Sequence, residues 1–141
     1  MEGGALKYIL DTNIIIYALK NSYSSIAEHF LRIPAQSIMI PTTVVAAIEY
    51  GARKSVDYEK TIAKYRKFMS AFEKADFSEK ASYHCGEIRA FLEKRGCIIG
   101  TMDLMIAATA LAENAILVTH NTKEFKRIPG LVVEDWTIVS E

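Results

Sequence analysis

Asp11 is the first residue whose type and position could do chemistry. It follows the apolar run Tyr8-Ile9-Leu10 and so stands at the C-terminal end of a short strand, where a carboxylate either caps the next helix or belongs to a site. Asp103 has two readings of its own. In the first turn of a helix it is favoured by the helix dipole alone, by about 0.3–1 kcal/mol. Yet it begins a stripe with Ala107, Ala110 and Leu111 that puts the carboxylate on the side of the small, core-facing residues. A charge there needs a partner or a metal ion. Thr119-His120-Asn121 leaves another apolar run at its C-terminal end. Asn121 reads as a cap for a short helix with Glu124 as its capping-box partner, or as part of the same site. His120 reads as a surface turn residue, because no HxxxH or HxxE arrangement accompanies it. There is no Walker loop, no GxGxxG and no GxSxG, so P-loop nucleotide binding, dinucleotide binding and serine hydrolysis have no support. Carboxylates at strand ends are what remains.

The elements that position them are short strands alternating with helices. Tyr8–Leu10 is a strand running into the helix Ile14–Lys20, and Ser25–Glu28 has capping-box spacing for a second helix reaching Ile33, which Pro34 ends. Ser37–Ile40 is a strand, and Pro41–Thr43 caps a helix beginning near Val44 with Gly51 near its end. Amphipathic segments Val56–Phe72 and Ser78–Arg95 flank a brief strand at Lys74–Phe77, and Gly96 closes the second as a C′ glycine. Gly100-Thr101 opens a helix over Met102–Glu113. Strands at Ile116–Thr119 and Val132–Asp135 flank the short helix Thr122–Arg127. Strands of this kind form a short parallel sheet with helices on both faces, the α/β class, and ligands sit beyond the carboxyl ends of its strands.

Composition supports one domain over residues 1–141: 50% hydrophobic and 24% charged residues, with 7 Gly and 3 Pro, exclude disorder. The longest apolar runs fall far short of the roughly 20 residues that span a bilayer, so no membrane role is expected. The N-terminus has no basic, cleavable leader pattern, which makes cytoplasm the expected compartment. Cys85 and Cys97 fit neither a metal pattern nor a disulfide framework. Seventeen basic and seventeen acidic residues cancel. Residues 53–95 are nonetheless basic and both flanks acidic, the mark of long solvated helices or of a binding surface.

Taken in order, Tyr8–Asn13, Tyr50–Ser55, Ile99–Ala108, Val118–Arg127 and Gly130–Trp136 give a chain that resembles the PIN-domain ribonucleases, and among them the VapC toxins of toxin–antitoxin pairs. The resemblance covers nearly the whole chain and implies a PIN-like fold. It implies a Mg²⁺- or Mn²⁺-dependent endoribonuclease that cuts structured RNA, a tRNA anticodon stem-loop above all, leaving 5′-phosphate and 3′-hydroxyl ends. The implied partners are a VapB-type antitoxin and a second copy of the chain, with DNA reached only through the antitoxin. The antitoxin is expected over the apolar helices Ile14–Leu19 and Ile26–Leu31, with a basic residue reaching the acidic site.

Asp11 and Asp103 match the family's metal-binding acids, with Thr12, Asn13, Thr119 and Glu124 around them. The family's fourth position, often Asp, is Asn121, which can orient water or bind phosphate but adds no charge. The departure is Ala47. The family carries Glu four positions before the glycine of the Tyr-Gly pair, here Tyr50-Gly51, and that count lands on alanine. Glu49 is two residues on, a rotation of about 200° around the helix, and so presents the wrong face. The alanine reads as a deliberate replacement or as a natural degeneration. Either way it implies a nuclease with severely reduced activity, the alternative being an inactive module that binds RNA or antitoxin. A receiver-type phosphotransfer domain built on Asp11 is a weaker rival, lacking the acidic pair and the late lysine of such a site.

Overall fold

The strand Tyr8–Leu10 (β1) has no polar residue to turn toward water, and it sits where none is needed. Its three residues are 9%, 0% and 0% exposed. The computed structural model describes residues 6–139; the N-terminal residues 1–5, which bear on the reading of the leader, lie outside the described residues. After β1 come α1 (Thr12–Leu19), α2 (Ser24–Arg32), β2 (Ile38–Pro41), α3 (Thr42–Arg53), α4 (Tyr58–Met69), β3 (Glu73–Ala75), α5 (Glu79–Lys94), α6 (Thr101–Ala112), β4 (Ile116–Val118), α7 (Thr122–Phe125) and β5 (Val133–Glu134).

The strands form one sheet in the order β3-β2-β1-β4-β5. Every pairing is parallel, with Tyr8 opposite both Ile38 and Ile116. The chain steps from β1 to β2 on one side, while β4 returns to the other side of β1. Order therefore reverses at β1, and the crevice such a switch point opens lies beyond the carboxyl ends of β1 and β4. That places the residues after Leu10 and after Val118 side by side.

Several local expectations are corrected by tertiary contacts. The Ser25–Glu28 capping box does not form. Tyr23 holds the N-cap position without a side-chain bond, and the buried Ser25 hydroxyl donates instead to the Trp136 carbonyl at 2.8 Å. Trp136, 1% exposed, anchors this end of the core, stacking on His29 at 4.7 Å between centroids. Thr42 and Thr43 do not cap α3 but form its first turn, with Pro41 at the N-cap position. The helix expected over 56–72 is trimmed to Tyr58–Met69, because the Asp57 carboxylate accepts from the Lys60 amide and starts it there. A 3₁₀ turn, Ala35–Ser37, joins α2 to β2 after Pro34. Strand β5 keeps only two residues of the expected four. The glycine reading at Gly96 holds, with φ +68° just past the end of α5.

The apolar helices near the N-terminus are less available than their sequence suggests. Ile14, Ile15 and Ile26 are at most 1% exposed and belong to the core. Leu31 of α2 is exposed, while the partly buried Leu19, Phe30 and Ile33 line a groove of about 480 Å³ with Phe68, Ala71 and Phe72. Among the described residues, no helix is long and apolar enough to cross a membrane.

Candidate active site

Asp11 is held at the switch point from three directions. Its backbone N–H donates to the Val118 carbonyl at 2.9 Å, extending the β1–β4 ladder by one rung. Its carboxylate accepts from the Thr12 amide at 2.8 Å and from the Thr119 hydroxyl at 2.7 Å. One oxygen thus caps α1, as one sequence reading of Asp11 has it, and the other is tied to a strand end 108 residues away. Burial raises its pKa, and the bonds from Thr119 and Thr12 oppose that rise.

Thr119 is fully buried and continues the chain of contacts. Its hydroxyl oxygen accepts from the Asn121 amide at 3.0 Å, and Asn121 Nδ2 donates to Glu124 Oε2 at 3.2 Å. Asn121 thus stands at the N-cap position of α7 without capping it by its side chain, which instead reaches Glu124. Carboxylate, hydroxyl, amide and carboxylate form one hydrogen-bonded line from Asp11 to Glu124.

Asp103, in the first turn of α6 behind Gly100, faces this line. Burial first, then the negative charges of Asp11 and Glu124, push its pKa up to about 6. Three carboxylates therefore share one negative field at the crevice. Hard oxygen donors of this kind, taken one or two at a time, could hold a divalent cation of the Mg²⁺ or Mn²⁺ kind, which keeps several waters. Among the described residues, no group of three or more His, Cys, Asp or Glu is gathered closely enough to cage an ion by itself.

The remaining sequence candidates are placed as follows. Thr12 contributes its amide to Asp11, while Asn13 is exposed on the outer side of α1. Ala47 is half-buried and lines a cavity with Ile16, Lys20, Gly51 and Tyr65. Glu49 is committed elsewhere: it accepts from Arg53 at 2.9 Å, from the Tyr58 hydroxyl at 2.6 Å and from Arg66 at 3.2 Å, clamping α3 to α4. Those bonds, Tyr58 foremost, lower its pKa. One polar group went unnoticed in the sequence. The Thr43 hydroxyl, one helical turn before Ala47, is buried without a hydrogen-bond partner among the described residues. Its only sequence signal was a polar β-branched residue just past a strand end.

The profile of the family described as PIN domain matches residues 8–131. The chain is 45% identical over 130 residues to "Ribonuclease VapC2" of Rickettsia felis, covering 92% of this chain and 97% of that one. It is 38% identical over 131 residues to "tRNA(fMet)-specific endonuclease VapC" of Salmonella typhimurium, covering 93% and 98%. Its fold superposes on the crystal structure of VapBC2 from Rickettsia felis bound to a promoter DNA fragment with a TM-score of 0.87, at 42% identity, covering 93% of this chain and 99% of that chain.

Proposed function

The chain belongs to the PIN domain family, and on that premise we propose that it is a divalent-metal-dependent endoribonuclease, the toxin of a VapBC-type toxin–antitoxin pair. The observation that carries the reading is the meeting of Asp11, Asp103 and Glu124 in one negative field at the sheet's switch point. Asp11 and Asp103 would hold the ion, Mg²⁺ or Mn²⁺. When bound, such an ion supplies positive charge to the phosphoryl oxygens and makes water a better nucleophile.

The protein's own part is positioning. Thr119 and the Thr12 amide fix both oxygens of Asp11, so that the carboxylate cannot rotate away from the crevice. The raised pKa of Asp103 makes it the carboxyl that gains most from a neighbouring cation. Asn121, exposed at the crevice edge, can donate to a phosphate oxygen or orient water. Attack of water on phosphorus with loss of the 3′-oxygen leaves a 5′-phosphate and a 3′-hydroxyl. The substrate we assign is structured RNA, a tRNA anticodon stem-loop first, by analogy with the relative named for tRNA(fMet). The assigned partners are a VapB-type antitoxin on the groove beside α1, α2 and α4, a second copy of the chain, and DNA through the antitoxin alone. The assigned compartment is the cytoplasm.

A second reading, an impaired or inactive module that binds RNA or antitoxin, rests on Ala47. Ala47 and Gly51, one helical turn apart, line a cavity with Ile16 of α1 and with Lys20, and neither brings a carboxylate to it. The two readings part in one experiment: digestion of total tRNA with end-mapping, using the chain as it stands, A47E, E49A and A47E/D11N. A47E is expected to cut at least 10- to 100-fold faster than the parent chain, E49A to cut as the parent does, and A47E/D11N to be inert. A parent chain already fully active, with E49A inactive, would place the third acid at Glu49 and overturn the assignment of Ala47. A47E that cuts no RNA would overturn the nuclease reading.

A further inference from the structure

His120 lies between Thr119 and Asn121, the two residues that link Asp11 to Glu124, yet it takes no part in that link. Its ring is instead pinned from the other side. Nδ1 lies 3.1 Å from Asp135 Oδ2 and 3.0 Å from the Thr137 hydroxyl. That hydroxyl donates its own proton to Asp135 Oδ1 at 2.6 Å. Both neighbours of Nδ1 are therefore acceptors, and the network assigns the proton to Nδ1. The anchor is rigid: the Asp135 side chain is 9% exposed and is held by the Thr137 amide as well. The ring it holds is 51% exposed.

Two tyrosines complete the surroundings. Tyr17, from the far end of α1, meets the His120 ring edge-on at 6.2 Å, and Tyr23 lies tilted at 6.3 Å, the two tyrosines being 5.1 Å apart. A half-open aromatic ring, fixed in orientation by a buried carboxylate and adjacent in the chain to the reacting edge, costs little conformational entropy to use. It gives a base a flat surface to stack on. The local charge decides what stacks there. Asp135 lies at the ring and three further carboxylates at the crevice, so a phosphate is repelled where the neutral face of a nucleobase is not.

We propose that His120, oriented by Asp135 and Thr137 and flanked by Tyr17 and Tyr23, is the stacking platform for an unpaired RNA base next to the scissile phosphate. His120 is thus a positioning residue for the substrate, not a metal ligand. The inference rests on the RNA-cleaving reading and adds to it where a neighbouring nucleotide goes.

The test is binding of a fluorescein-labelled tRNA anticodon stem-loop, followed by fluorescence anisotropy at one ionic strength. Ca²⁺ is used as the hard, oxygen-liganded cation. H120A is expected to bind about 5- to 50-fold more weakly than the parent chain, and H120F, which keeps an aromatic face, within about twofold of it. With 2-aminopurine placed at each loop position in turn, one position should be quenched by the parent and by H120F but not by H120A. A merely structural role would lower the melting temperature of H120A without producing that position-specific signal. Equal binding by H120A and the parent overturns the inference alone. Equal weakening by H120A and H120F overturns stacking in favour of a contact through the ring nitrogens. A parent chain that binds no RNA overturns both this inference and the nuclease reading.

Discussion

Replacing Asp103 by Asn isolates the cost of gathering carboxylates before any cation is bound. Burial and the charges of Asp11 and Glu124 raise the Asp103 pKa from 3.8 to about 6. A carboxyl whose folded-state pKa is raised holds its proton more tightly in the folded chain than in the unfolded one. Folding stability therefore falls as pH rises from about 4 to about 6, and the full cost is present above that window. A shift of about two units corresponds to about 3 kcal/mol at 1.36 kcal/mol per unit. Asp103 is partly open to water, so screening reduces the figure to about 1–2 kcal/mol. In a domain of this size that is a rise in Tm of about 3–8 °C.

Thermal melts in chelator should therefore show D103N more stable than the parent at pH 7.5, with the gain vanishing near pH 4. Added Mg²⁺ should raise the Tm of the parent at pH 7.5 and leave that of D103N nearly unchanged, because binding to the folded state alone stabilises it. D103N melting at or below the parent temperature at pH 7.5, with an unchanged pH profile, would refute the claim that these carboxylates share one field.

Two further perturbations test the site's support and the partner surface. Thr119→Val removes the hydroxyl that donates to Asp11 at 2.7 Å. It leaves one buried carboxylate oxygen without that donor, so denaturant unfolding should show a loss of about 1–3 kcal/mol. The same change in an A47E background should lower RNA cleavage at least 10-fold. Ala71→Asp puts a charge on the exposed lip of the groove formed by Leu19, Phe30, Ile33, Phe68 and Phe72. It should abolish co-purification with a co-expressed antitoxin while shifting Tm by less than about 2 °C; retained co-purification would move the antitoxin to another face.

The elements were readable because their signals are local. Short apolar triplets followed by turn or cap residues, Tyr8–Leu10 before Asp11 and Ile116–Val118 before Thr119, mark strands of a sheet covered on both faces. Gly96 past α5, at φ +68°, is punctuation that the backbone itself demands. Where a local signal had a competing distant partner, the reading failed. Ser25 left its capping box for the Trp136 carbonyl, 111 residues away, because a buried hydroxyl must find a partner where it is packed. At Asn121 the competition was local: its side chain reaches Glu124, three residues on, in place of the α7 backbone.

From the sequence alone came the residue types: acids at two element ends, an alanine where the family resemblance implies an acid, and the alternation that requires a parallel sheet. Their meeting was decided only in three dimensions. Asp11 and Thr119 touch because β1 and β4, distant in the chain, are neighbours in the sheet, and the Asp103 pKa is raised because α6 partly buries it and brings it into the field of Asp11 and Glu124. Glu49 is tied to the α4 side because α4 supplies Arg66 and Tyr58 to hold it, with Arg53 from its own helix. The Asp135–His120 contact joins β5's exit to β4's in the same way. A one-dimensional pattern reports which residues are buried with which period. Strand order and the rotation of each packed helix set which side chains then face one another, and those are properties of the assembled sheet.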